Sequence, residues 1–156
     1  MFRPTILKKN IPVYPPLTQT NTKPVLDIYK EQCFEKLDPE GWRRALLKFK
    51  SPTEIKTGDV IRVVYNTRAI PPFMGQIIGI SRGGVEASVV LRNNITKLGV
   101  EMRIKIFSPL ISRIDIVKKP LKRKPGRKHY FIKGTKLDVK DLEADLKKSR
   151  RKNKSF

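Results

Sequence analysis

Histidine and cysteine are almost missing from this chain: His129 and Cys33 are the only ones among 156 residues. A single cysteine excludes an internal disulfide and a cysteine-rich zinc centre, which needs several thiolates. Cys33 therefore reads as a small buried apolar residue. His129 stands in a basic, flexible-looking run without cysteine or carboxylate neighbours, so no metal-ligand set forms around it. A hydrolytic triad needs a base beside its nucleophile, and there is no Gly-x-Ser-x-Gly turn to present one. The Gly-x-x-x-x-Gly-Lys-Ser/Thr phosphate loop is missing too. Acids are scarce and scattered, and Asp138, Asp141, Glu143 and Asp145 read as the exposed start of a helix. Neither a catalytic constellation nor a cofactor or metal is expected. No stretch approaches the roughly 20 apolar residues of a membrane span.

What is present is positive charge. Lys and Arg number 35 against 14 Asp and Glu, a formal net charge of +21. Self-repulsion at that level opposes compaction unless a polyanion neutralises it. A membrane-surface anchor would need Trp, Phe and Leu opposite a basic face, whereas here the cations are spread over the whole chain. Nucleic acid is thus the expected partner and a membrane is not. Hydrophobic residues make up 38%, below the ~45–50% of an ordinary domain, so one modest core with polar extensions is expected.

The residues divide into four stretches. Residues 1–24, with Pro4, Pro12, Pro15, Pro16 and Pro24, read as an extended basic arm. Its opening has no acid before Asp27, as in a transit peptide, but the prolines would break the amphipathic helix such a peptide needs. Residues 25–52 read as a helical extension in two pieces. Leu26, Tyr29, Cys33, Phe34 and Leu37 form one apolar face; Trp42, Ala45, Leu46 and Phe49 form the other, with Asp38 as N-cap before Pro39. Residues 53–132 alternate with period two, giving strands at 60–65, 75–80, 85–92, 100–107 and 111–117. Gly83-Gly84 is expected as a tight hairpin turn, and Asn93-Asn94 and Gly99 as the bounds of the next loop. Met102, Ile104 and Ile106 should face inward. Short strands with glycine turns and no intervening helix predict a mainly β fold, a small barrel whose closure would remove its sheet edges. Residues 133–156 read as a C-terminal basic helix, capped by Asp138, with acids first and bases last as the helix dipole favours.

The candidate contacts to nucleic acid are Arg43 and Arg44 on the second helix, Arg82 beside the glycine turn, and Lys118, Lys119, Lys122, Arg123, Lys124, Arg127 and Lys128 in an acid-free run after the last strand. Lys and Arg neutralise phosphates and release counterions, and Arg also forks onto phosphate or stacks on unpaired bases. A solvated helix face is the other reading of Arg43 and Arg44. Tyr130 and Phe131 close the run, and at least one ring is expected to be buried in a last barrel strand.

Several short motifs, in order, resemble the bacterial-type L19 family of large-subunit ribosomal proteins. Thr57-Gly58-Asp59-Val60-Ile61-Arg62-Val63 is similar to the family's Pro-Gly-Asp strand, with Thr57 where Pro is usual. Pro72-Phe73-Met74-Gly75-Gln76-Ile77-Ile78 resembles its Phe-x-Gly strand, and Arg82-Gly83-Gly84 the following hairpin. Gly99-Val100-Glu101, Phe107-Ser108-Pro109 and Arg127-Lys128-His129-Tyr130-Phe131-Ile132 resemble its later landmarks. The resemblance implies an SH3-like barrel bound to large-subunit ribosomal RNA near the subunit interface. Further implications are neighbouring large-subunit proteins, an intersubunit bridge to small-subunit RNA, and no catalysis. The first 50 residues exceed the bacterial pattern, and Asp38-Pro39-Glu40-Gly41-Trp42-Arg43-Arg44 is similar to fungal mitochondrial forms. The implied location is the mitochondrial matrix, with a chloroplast or a bacterial cytoplasm as alternatives. Residues alone reach only a small basic barrel that binds RNA. They leave open a regulatory nucleic-acid binder, such as a transcription or ribosome maturation factor.

Overall fold

The computed structural model describes residues 23–154, with side chains as far as Lys148. The expected arm over residues 1–24 and the basic tip of the last helix therefore lie almost wholly outside the described residues. Two helices come first, α1 (Val25–Leu37) and α2 (Trp42–Leu47). The end of α1 packs down: Phe34 meets Phe107 edge to face at 5.2 Å, and Phe34 and Leu37 lie against the core. Its beginning does not, for Leu26 and Tyr29 of the expected apolar face are 70% and 63% exposed. Cys33 is half-buried and free rather than enclosed.

Asp38 does start the second helix, but from further away than an N-cap. Gly41 at φ +75° breaks the chain first, and the buried Asp38 carboxylate then accepts the amides of Arg43 and Arg44. Those amides would otherwise lack partners at a helix start. Because α2 ends at Leu47, Phe49 falls outside it and is 66% exposed, not part of an apolar helix face.

The centre is a five-stranded antiparallel sheet: β1 (Val60–Tyr65), β2 (Phe73–Ser81), β3 (Ser88–Ile95), β4 (Leu98–Lys105) and β5 (Ile111–Lys118), in the order β4-β3-β2-β1-β5. The mainly β expectation holds. Among the described residues β4 and β5 are the two edges and no ladder joins them, so the sheet is open. Ile61, Val63, Ile77, Val89, Leu91, Ile104, Ile106 and Ile111 form one core under it, with Ile55 and Leu46 from the helical side. Inward residues at every second position account for that face.

Two turn assignments differ from expectation. Gly83-Gly84 is no two-residue hairpin; Gly84 opens a short 3₁₀ turn (Gly84–Glu86), and β3 starts three residues later than predicted. Asn93 and Asn94 belong to β3, where the buried side-chain Oδ1 of Asn93 accepts the amides of Asn94 and Leu142. The true hairpin turn is Thr96-Lys97, at φ +50° and +67° between the paired Ile95 and Leu98. Met102 lies on the edge strand and stays 36% exposed, while Ile104 and Ile106 are buried as expected.

The last helix, α3, runs Leu142–Lys154, and Asp141 caps it by accepting the amides of Glu143 and Ala144. Asp138, the expected cap, has another task. Arg92 on β3 donates to both its oxygens, Nε to Oδ1 at 2.7 Å and Nη2 to Oδ2 at 2.6 Å. Arg92 Nη1 also donates to Glu101 at 2.7 Å, and Lys133 completes the set on the other Glu101 oxygen. The Arg92 guanidinium, helped by the Gly134 and Val139 amides, holds the Asp138 carboxyl well below the usual carboxylate range against the opposing effect of burial. This network, with Ile132 and Val139 packed on Ile78, ties the C-terminal segment to the sheet.

Candidate nucleic-acid interface

The run after β5, flexible-looking in sequence, is anchored at its middle and at its end. Midway along it, Arg123 Nη2 lies 2.9 Å from the fully buried Asp59, and Arg123 Nη1 donates to the Thr57 carbonyl. At its end the His129 amide donates to Ile78 at 2.7 Å, and Lys128 bridges Gly79 on β2. His129 is 2% exposed, packed beside Gly58, so it is a buried ring and not part of a flexible stretch. Tyr130 follows in a short 3₁₀ turn with its hydroxyl over Gly79, where an added Cβ would meet it at 2.9 Å. Neither expected ring is buried. Tyr130 is 39% and Phe131 53% exposed, and the residue that fills the core is Ile132.

Anchoring the run shapes a cleft of roughly 780 Å³ between it, the α2–β1 connection and the end of β2. Arg82, Arg123, Lys124, Arg127 and Lys128 line it together, joined by Lys50 and Lys56. Among the described residues the only acid in the wall is Glu54, which is 5% exposed. Glu54 is already engaged: Lys50 donates its amide to Oε2, Arg82 donates to Oε1 at 3.2 Å, and the Lys56 ammonium sits at 3.4 Å. The side chains of Lys50, Arg127 and Lys128 make no hydrogen bond or ion pair among the described residues. The wall thus presents uncompensated positive charge around a concavity with low-dielectric walls, which focuses the field on an anion.

The other candidates are placed differently. Lys118, Lys119 and Lys122 are exposed along the run outside the cleft, Lys119 reaching the Pro52 carbonyl at 3.2 Å. Arg44 is half-exposed over the Phe34 ring and pairs with Asp38. Arg43 is turned inward: Nη1 donates to the Leu37 carbonyl at 2.7 Å and Nη2 to that of Ile111 at 2.8 Å, with the residue 8% exposed. That leaves Arg43 out of the surface group, as a joint between α1, α2 and β5. Lys50 and Lys56 were missed because neither lies in a dense charge run. Sequence gives no sign that the chain folds the Lys50 turn onto the cleft. Among the described residues no group of His, Cys, Asp and Glu could hold a metal ion, and no helix is long and apolar enough to cross a membrane.

Residues 42–142, more than half of the chain, match the family model described as Ribosomal protein L19. This chain belongs to the ribosomal protein L19 family. The family is one of structural ribosomal proteins rather than enzymes. Its similar relatives include the large ribosomal subunit protein bL19m of Neurospora crassa, 32% identical over 129 residues, 83% of this chain and 49% of that protein. The Schizosaccharomyces pombe bL19m is 25% identical over 140 residues, 85% of this chain and 77% of its own length. The bacterial bL19 of Thermus thermophilus is 33% identical over 104 residues, 64% of this chain and 68% of that one. The chain therefore spans about half the length of the Neurospora relative and about three quarters of the fission-yeast one. The cleft and the run that shapes it fall inside the family match.

Proposed function

We propose that this chain is a structural constituent of the mitochondrial large ribosomal subunit. It binds ribosomal RNA through the basic cleft and the exposed cations beside it, and touches neighbouring large-subunit proteins. The observation that carries this reading is the coincidence of the L19 match with a cleft whose wall holds seven Lys and Arg and one engaged acid. The fungal bL19m relatives support the mitochondrial location. Arg82, Arg123, Lys124, Arg127 and Lys128 contact phosphate within the cleft, and Lys118, Lys119 and Lys122 extend that contact along the RNA. Arg44 adds a separate phosphate contact on α2. A bridge to small-subunit RNA is the finer part of the proposal, as is an SH3-like barrel. Support for the barrel comes from the core, where Ile104 of β4 and Ile111 of β5 share one cluster although their strands are opposite edges. The division into arm, helical extension, barrel with basic run and C-terminal helix is likewise our reading.

The test is sedimentation of tagged protein from a mitochondrial lysate at low and at high monovalent salt. Co-migration with the large subunit in equal stoichiometry at both salts is the expected result. Release at high salt, or free protein throughout, overturns the structural assignment. Replacing Lys122, Arg123 and Lys124 together should lower the level of assembled subunit, and normal levels would remove those residues from the interface.

A further inference from the structure

Phe49 has no place in the core and none in α2, yet it is held firmly. Lys50 turns the chain at φ +61°, a left-handed conformation that a non-glycine residue adopts only at a cost. The buried Glu54 stabilises that turn by accepting the Lys50 amide at 3.0 Å. With its other oxygen Glu54 holds Arg82, whose Nε also donates to the Leu47 carbonyl at 3.3 Å. The result is a ring in the wall of the basic cleft, 66% exposed, with the Arg82 guanidinium 4.4 Å from its centroid. A lone exposed apolar residue needs no explanation. Here, however, one carboxylate fixes both the ring's turn and the cation against it.

We propose that Phe49 and Arg82 form a stacking platform for an unpaired RNA base, with the flanking phosphates on Lys50, Arg127 and Lys128. The proposal rests on the RNA-binding reading and specifies which RNA the cleft takes. Aromatic rings and guanidinium planes both stack on bases, and the cleft lies within the about 300–1,000 Å³ typical of sites for ligands of nucleotide size. A duplex cannot use the platform, because its base faces are closed in the stack; only its phosphates are open to the cleft.

Binding of the full chain to an oligouridylate strand, and to the duplex that strand forms with oligoadenylate, separates the two modes. Phe49→Ala should weaken single-strand binding about 5- to 150-fold, the worth of one stacked base, and leave its salt slope and the duplex affinity unchanged. Phe49→Trp should retain the wild-type preference. Because the ring is exposed, both variants should melt like the parent. Equal weakening on strand and duplex, or no weakening on the strand, overturns the platform while leaving RNA binding intact. A parent chain that binds neither RNA at low salt overturns the RNA reading itself, and the platform with it.

Discussion

Two regions of this molecule carry clustered Lys and Arg, and they use them in opposite ways. On the β3–β4 side Arg92 and Lys133 are closed against Asp138 and Glu101 in a chain of charge-assisted hydrogen bonds. Around the cleft Lys50, Arg127 and Lys128 have no such partners among the described residues, and the one acid they place in the wall is buried among donors. The first region joins the C-terminal segment to the sheet. The second leaves charge for something outside the chain. A count of cations, even one as lopsided as +21, does not distinguish the two; the position of the few acids does.

The largest effect should follow from removing the uncompensated charge. Lys50→Gln, Arg127→Gln and Lys128→Gln together should lower the slope of log affinity against log salt by about 2 to 3, which is on the order of 100-fold in RNA affinity near 0.1 M salt. Because no partner is lost, the urea midpoint should not fall. A filter-binding salt series with a parallel denaturation curve reads both. A lower midpoint would mean that these cations are structural, and the contrast between the regions would collapse.

Arg43 gives the converse test. Arg43→Met strands the Leu37 and Ile111 carbonyls without donors in a buried place. Each unsatisfied group costs about 1–3 kcal/mol, so a loss of about 3 kcal/mol in unfolding free energy is expected. RNA affinity measured where the variant is folded should keep its salt slope. Arg44→Met, one residue on and half-exposed, should change stability little.

That neighbouring pair also shows where the sequence was readable. Period-two alternation placed β1 and β5 within a residue, and helical spacing found α1, because apolar periodicity is a direct image of burial. All but the last of the family motifs lie on the strands of the sheet and the turns beside them, and the last, Arg127–Ile132, ends in the 3₁₀ turn packed on β2. Polar residues carry no such image. Arg43 and Arg44 are the same in sequence, and only the distance to two carbonyls makes one a joint and the other a surface cation. Asp38 and Asp138 both looked like helix caps, and Asp141, the residue that caps α3, did not. Which of them caps at the first turn, which reaches in from a turn away and which binds Arg92 depends on long-range packing. The cleft was half legible: the dense run supplied Arg123 to Lys128, while Lys50, Lys56, the buried His129 and the stray Phe49 needed the fold.

The paired region should announce itself through pH. Asp138 has its carboxyl held below its ordinary range in the fold by Arg92. Its charged form therefore stabilises the fold above the unfolded value, about 3.9. As pH falls below that value the contribution is lost progressively, until the folded carboxyl is itself protonated. Asp138→Asn should lower unfolding free energy by about 2 kcal/mol at neutral pH and by progressively less below pH of about 4. Urea titrations at several pH values check the convergence. Parallel curves at all pH values would show that Asp138 gains nothing from Arg92.

A smaller effect, of opposite sign, sits at the tip of the same β3–β4 pair. Thr96 and Lys97 both adopt positive φ in a two-residue hairpin turn, the geometry that favours Asn and Gly because its twist matches the strands. Thr is β-branched and badly suited to that conformation, and its hydroxyl contributes only an exposed bond to the Ile95 carbonyl. Thr96→Asn keeps the charge and relieves the strain, so it should stabilise the fold by about 1 kcal/mol. It should leave RNA affinity and its salt slope where they were, since the charge-paired side of the sheet serves the fold alone. A change in affinity of more than a few-fold would place this hairpin tip in the RNA interface and remove the division of labour between the two regions.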